Sequence, residues 1–194
     1  MKRGVLGAAL GLAALALAGC ASDSQPGDVE NACAIFDERP HWRRAVAASE
    51  AKWGAPAHVQ LAIIWKESSF EADARPSRTY ALGFIPTGRR SSAYGFSQAL
   101  DGTWEWYRQD SGNAWADRDD FEDAADFVGW YMAKTRSVNG VAMEDAYHHY
   151  LNYHEGHAGF RRGDWRRKAW LDRVAREVTR KAEDYRLHME VCEA

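Results

Sequence analysis

Apolar residues recur every three or four positions along most of this chain, which is helical spacing. His41–Trp53 follows Pro40 and is anchored by Trp42, Val46 and Trp53, before Gly54-Ala55-Pro56 breaks it. Pro56 suits a first helical position and opens a strongly apolar helix over Ala57–Ser68. Further helices are predicted over Ala99–Gln109, over Asp119–Thr135 with acidic residues at its start, and over Met143–Tyr153, ended by Gly156 and Gly159. A last helix runs over Asp164–Val191, with Leu171, Val174, Val178, Ala182, Tyr185, Met189 and Cys192 on its buried stripe. Residues 74–93 hold most of the loop signals, including Pro76, Gly83, Pro86 and Gly88. Strand alternation never exceeds four residues, so the expected fold class is all-α.

The first twenty residues break this pattern. Met1-Lys2-Arg3 is positive, and Gly4 to Ala18 is uncharged and rich in Ala and Leu, which predicts a secretory signal over residues 1–19. Its end, Leu17-Ala18-Gly19-Cys20, resembles the bacterial lipobox, in which cleavage before the cysteine frees it for lipidation. That resemblance implies an acylated Cys20, and Ala21 after it implies an outer-membrane lipoprotein facing the periplasm. Residues 20–29 then read as anchor and tether, and residues 30–194 as one domain. With Cys20 lipidated, Cys33 and Cys192 remain, an even pair in an oxidising compartment at the two ends of the domain. A Cys33–Cys192 disulfide is the expectation.

Charge narrows the functional classes. The 194 residues carry 25 Lys+Arg against 28 Asp+Glu, a net charge of −3 that becomes −5 once Lys2 and Arg3 are removed. No domain-wide basic excess exists for nucleic-acid phosphates. Aromatic residues make up 12% of the chain, nine of them Trp, which is high enough to suggest a role beyond packing.

Glu67 is the first residue whose position asks for chemistry. Ile63 and Ile64, one turn earlier, put it on the apolar face of its helix, and it sits at the C-terminal end, where the helix dipole disfavours a negative charge. Both effects keep a carboxyl protonated toward neutrality. A protonated carboxylic acid in a cleft is what protonation of a glycosidic leaving group requires.

Three further segments follow in order. Glu67-Ser68-Ser69-Phe70 precedes Ser92-Ala93-Tyr94-Gly95-Phe96-Ser97-Gln98, and Tyr150-Leu151-Asn152-Tyr153-His154-Glu155-Gly156 comes later. Asp126-Phe127-Val128-Gly129-Trp130-Tyr131 lies between them. Together they resemble the lytic transglycosylase domain of the soluble-transglycosylase (SLT) type, with its goose-lysozyme-like fold, over about residues 50 to 160. The family pattern runs Glu-Ser, Gly-Leu-Met-Gln and Ala-Tyr-Asn-x-Gly; here Phe96-Ser97 replaces Leu-Met, and Asn152 and His154 flank the tyrosine.

The resemblance implies peptidoglycan glycan strands as substrate and Glu67 as the single acid/base. It implies Tyr153 as the hydroxyl that positions this carboxyl. Within the substrate site it implies Ser68 as a buried hydrogen-bonding partner of the motif, and substrate contacts are expected from Tyr94, Gly95, Phe96, Ser97, Gln98, Asn152 and His154. The implied cleavage, between N-acetylmuramic acid and N-acetylglucosamine, is non-hydrolytic and gives a 1,6-anhydro product. A lysozyme-like hydrolase would normally need a second carboxylate, for which Glu71, Asp73, Asp101 and Glu155 are available. A glycan-binding scaffold without catalysis is the other reading, motivated by the altered second and third motifs.

The remaining features are weaker. Trp104, Trp106, Tyr107, Trp115, Trp130 and Tyr131 either stack on sugars or fill the core; Tyr94, Tyr150 and Phe160 are the better cleft candidates. Arg75, Arg78, Arg89 and Arg90 give residues 74–100 a local charge of +4 with no acid, which suits a rim or lid facing stem-peptide carboxylates. His148, His149, His154 and His157 lack the HExxH spacing that a zinc peptidase would show, so neither metal nor cofactor is expected, and the chain is expected to be monomeric.

Overall fold

The computed structural model describes residues 24–82 and 84–192; the expected signal segment and Cys20 lie outside them. Among the described residues seven α-helices follow one another: α1 (Ala32–Glu38), α2 (Pro40–Trp53), α3 (Ala57–Ser68), α4 (Asp101–Ser111), α5 (Phe121–Asn139), α6 (Ala146–Arg162) and α7 (Ala169–Cys192). One antiparallel hairpin, β1 (Arg78–Ala81) with β2 (Ile85–Arg89), stands between α3 and α4. The architecture is mostly helical, as the periodicity predicts.

Local chemistry explains several boundaries. Asn31, Asp120 and Asp145 cap α1, α5 and α6, their side chains accepting from Cys33 N–H at 2.9 Å, Asp123 N–H at 3.0 Å and His148 N–H at 3.0 Å. Helix α3 ends where Ser69 and then Phe70 turn left-handed, at φ 52° and 63°. Two such residues in succession are costly without glycine, and the buried Phe70 ring offsets that cost.

Three expectations need correction. Gly156 does not end α6: it takes φ 70°, ψ 158° and kinks the helix, which resumes to Arg162. The stretch 74–93 is not all loop, because Arg78 pairs with Arg89 and Ala81 with Ile85 across the hairpin, with an irregularity between Thr79 and Tyr80. Strands this short leave no alternation to read, and Pro86 and Gly88 look like breakers. The folded part begins before residue 30, since the chain is already docked at Ser24. Arg39 Nη2 donates to the Ser24 hydroxyl at 2.6 Å, Gln25 Nε2 to the Ser69 carbonyl at 2.8 Å, and Pro26 is buried.

Helix α2 packs on α5 at very short range. A Cβ on Gly129 would lie 2.2 Å from Ser49 Oγ, so only glycine fits. Ser49 uses the closeness to donate to the Ala125 carbonyl at 2.8 Å. Asp126, one turn earlier, accepts from Trp53 Nε1 and the Tyr107 hydroxyl, both at 2.7 Å, and from Lys52 at 3.0 Å. The Asp126–Tyr131 motif is therefore a packing device. Helix α7 runs along α3 and α6, burying Leu171, Val178 and Tyr185 completely. Its end is tied to α1 by the Cys33–Cys192 disulfide, Cα atoms 5.8 Å apart.

Beneath the loops, Trp42 stacks on Phe121 with ring centres 4.0 Å apart and meets Phe70 at 5.7 Å and Phe96 at 5.4 Å. Phe70 belongs to the segment after Glu67, and Phe96 to the Tyr94–Gln98 segment. One aromatic cluster thus fixes both segments to the same part of the core.

Candidate active site

Glu67 closes the last turn of α3, whose other faces are fully buried through Leu61, Ala62, Ile63 and Ile64. The side chain is half-buried. Loss of water contact raises its carboxyl from the ordinary 4.5 to about 7, with the Tyr150 hydroxyl and the Lys66 charge pulling the other way. Lys66 is itself committed to Glu177 at 2.7 Å, and among the described residues no cation pairs with Glu67. A half-buried acid without a salt bridge is what keeps the proton on the carboxyl near neutrality.

The phenol on Glu67 is a correction. Tyr150 is its hydrogen-bond partner, and burial together with the Glu67 charge pushes that phenol far above its usual range. Tyr153 was expected in this role, but its hydroxyl donates to the Ser97 carbonyl at 2.7 Å. The two tyrosines sit three residues apart on α6 and share a face, so both come near Glu67 while only one binds it.

Tyr153 also lines a cleft of about 220 Å³, with Gln98, Leu100, Thr103, Phe127, Tyr131, His154, Glu155 and others on its wall. Glu67 is not among these lining residues; Tyr153 links the two, since it lines the cleft and lies close enough to feel the Glu67 charge. Leu100 and Thr103 were missed because nothing in their sequence context marks them; they reach the cleft through the placement of α4.

The Tyr94–Gln98 segment behaves differently from its expected contact role. Gly95 takes φ 76°, and a Cβ there would sit 2.0 Å from the Arg118 carbonyl oxygen. Its own N–H donates to the Ala74 carbonyl at 3.0 Å, so it is buried structure and not sugar contact. Phe96 and Ser97 are fully buried; Phe96 belongs to the Trp42 cluster, and Ser97 Oγ is without a partner among the described residues. Tyr94 donates to Asp119 at 2.6 Å under the Arg75 guanidinium, 3.9 Å above the ring. Gln98 does reach the cleft, but both amide hydrogens are spent on the Ala74 and Gly95 carbonyls at 2.9 and 2.8 Å. Only its carbonyl oxygen is left for a ligand.

Two other site residues are internal, Ser68 in the buried bonding role expected of it and Asn152 against expectation. The Ser68 hydroxyl donates to the Ile64 carbonyl at 3.2 Å and accepts from Phe70 N–H at 3.1 Å, closing the end of α3. Asn152 is fully buried, its amide donating to the His148 carbonyl at 2.8 Å while its oxygen accepts from Asn139. His154 faces the cleft and meets Glu155 at 2.9 Å. Burial works against the Glu155 charge, yet Lys168, at 2.7 and 2.9 Å, and His154 outweigh it and hold that carboxyl below the usual range.

The other candidates sort by burial. Trp104, Tyr107, Trp130 and Tyr131 belong to the core, Tyr131 also touching the cleft, whereas Trp106 and Trp115 are exposed. Phe160 stacks on Trp165. Among the described residues of the Arg-rich stretch 75–92, none lines this cleft. The four histidines turn to separate partners: Asp145, the Ala142 carbonyl, Glu155 and Thr135.

A model of the transglycosylase SLT domain matches residues 8–192, nearly the whole chain. The chain belongs to the transglycosylase SLT domain family. No match was found among curated proteins. Membership sets the fold as lysozyme-like and the functional class as lytic-transglycosylase type, with peptidoglycan glycan as the substrate.

Proposed function

We propose that this SLT domain cleaves the bond between N-acetylmuramic acid and N-acetylglucosamine without water, with Glu67 as the single acid and base. The observation that carries the reading is the Glu67 carboxyl itself: half-buried, without a cation partner among the described residues, and raised to about 7. Protonated Glu67 donates its proton to the glycosidic oxygen as the C1–O bond breaks. The carboxylate left behind is stabilised by the Tyr150 hydroxyl. It then takes the proton of the same sugar's 6-hydroxyl, whose oxygen bonds to C1. The products are an anhydro sugar and a free 4-hydroxyl, and Glu67 regains its proton.

Tyr153 acts at one remove, holding the Ser97 carbonyl and with it the Gln98 turn that borders the cleft. In this reading the domain works at the outer membrane, facing the periplasm and held by an acylated Cys20, as a monomer on glycan strands.

One observation favours a hydrolytic alternative. Glu155 is a charged carboxylate on the cleft wall, the kind of group that activates water or stabilises a sugar cation. The two hydrogen bonds it accepts from Lys168 oppose that use.

Digestion of purified sacculi separates the readings. Anhydro-muropeptides, one water lighter than hydrolysis products and lost in Glu67→Gln, are the expected result. Hydrated products would move the assignment to a muramidase, and binding without release would move it to a scaffold.

A further inference from the structure

The β1–β2 hairpin leaves large apolar side chains in water. Leu82 is 82% exposed and Phe84 73%, with Tyr80 and Ile85 about half exposed beside them. They crowd into six residues at the tip of the hairpin. At the base, Arg78 lies directly opposite Arg89 in the ladder, and Arg90 follows, all three exposed. No acidic residue occurs from 74 to 100. From the Arg pair to the tip is about four residues, roughly 13 Å of strand. Apolar tip and basic collar are therefore separated by the distance between the upper acyl region of a bilayer and its phosphates.

The position of the N-terminal segment adds an independent constraint. Gln25 is bonded to the Ser69 carbonyl, at the same end of α3 from which the chain leaves for the hairpin. Cys20 lies four positions before Ser24, and that stretch reaches at most about 14 Å. A lipid on Cys20 would thus hold this end of the domain, and not another, against the membrane.

We propose that the hairpin docks into an anionic lipid leaflet, with Leu82 and Phe84 below the headgroups and Arg78, Arg89 and Arg90 at the phosphates. The inference rests on the anchoring reading for its orientation only; the exposed tip and its charges stand without it. Stem-peptide carboxylates of the wall would satisfy the arginines but leave the apolar tip in water. The leaflet satisfies both.

The test uses the full chain with Leu82→Cys carrying an environment-sensitive fluorophore, the native cysteines being bonded or acylated, and Ser137→Cys as a control on exposed α5. Vesicles of phosphatidylethanolamine and phosphatidylglycerol should shift the Leu82 probe to the blue and expose it to bilayer-borne quenchers, with the Ser137 probe unchanged. Neutral vesicles should give a smaller response, and Phe84→Asp should weaken it roughly tenfold. A Leu82 probe that stays in water with anionic vesicles overturns the proposal, as does one that responds only to sacculi. Intact mass reports acylation of Cys20 separately. A Cys20→Ser chain whose Leu82 probe still enters vesicles removes the anchor and keeps the docking hairpin.

Discussion

Glu67 should make the protein less stable than it could be, and in a way that depends on pH. Its carboxyl titrates at about 7 in the folded protein, against 4.5 for the ordinary group. Below pH 4.5 it is protonated whether the chain is folded or not, and folding carries no ionisation penalty. As pH rises from 4.5 toward 7, the unfolded chain releases the proton first, so stability falls; above 7 the loss is complete. The gap corresponds to about 3 kcal/mol, which residual exposure of the side chain reduces to roughly 2. Glu67→Gln cannot ionise and still accepts from Tyr150. It should therefore match wild type at pH 4 and exceed it by roughly 2 kcal/mol at pH 8. Urea unfolding at the two pH values reads this as a midpoint gap that opens with pH at constant slope. Other titrating groups, His149 among them, affect both proteins alike and cancel in the difference. A gap that does not change with pH, or a variant weaker than wild type at pH 8, would refute the reasoning.

Further outcomes follow from single contacts. Tyr150→Phe removes the hydroxyl that lowers the Glu67 pKa, so the alkaline limb of the activity profile should move to higher pH, with the rate below that of wild type. Gly95→Ala should cost about 3 kcal/mol or prevent folding, because its Cβ meets the Arg118 carbonyl at 2.0 Å; denaturant midpoints test this. Reduction of Cys33–Cys192, which closes 159 residues, should lower stability by up to about 5 kcal/mol, read as a fall in Tm under reductant. His149 is buried and pushed down to about 4, so it stays neutral in the folded state while the unfolded chain protonates. Stability should therefore decline as pH falls from 6.5 toward 4, and His149→Gln should flatten that decline in acid unfolding curves.

What the sequence discloses depends on whether neighbouring residues or distant ones decide. Helix α3 is legible to the residue, since Pro56 starts it and a continuous apolar run fills it. The disulfide follows from counting cysteines and from α7 presenting Cys192 toward the core. Glu67 stands out because its own turn places an acid among isoleucines. Helix α1 escapes notice: seven residues make too few turns for a period. The hairpin escapes because its strands are short and one contains Pro86.

The larger misses come from reading motif residues as ligand contacts. Gly95, Phe96, Ser97 and Asn152 are buried, and what they share is the task of shaping the walls, not of touching sugar. Phe96 shows why: replacing the family's Leu-Met at this place with Phe-Ser puts a ring into the Trp42 cluster, a partner more than fifty residues away. The exchange of Tyr153 for Tyr150 has a similar origin. Helical spacing brings both phenols to one face, and only the position of α3 against α6 selects between them.

The central claim is that the Glu67 carboxyl holds its proton close to neutral pH. Site-specific carbon NMR titration of that carboxyl in the intact protein measures it directly, with Glu67→Gln identifying the signal. The account predicts a midpoint near 7, moving upward in Tyr150→Phe. A midpoint near 4.5, unmoved by loss of the phenol, would contradict it.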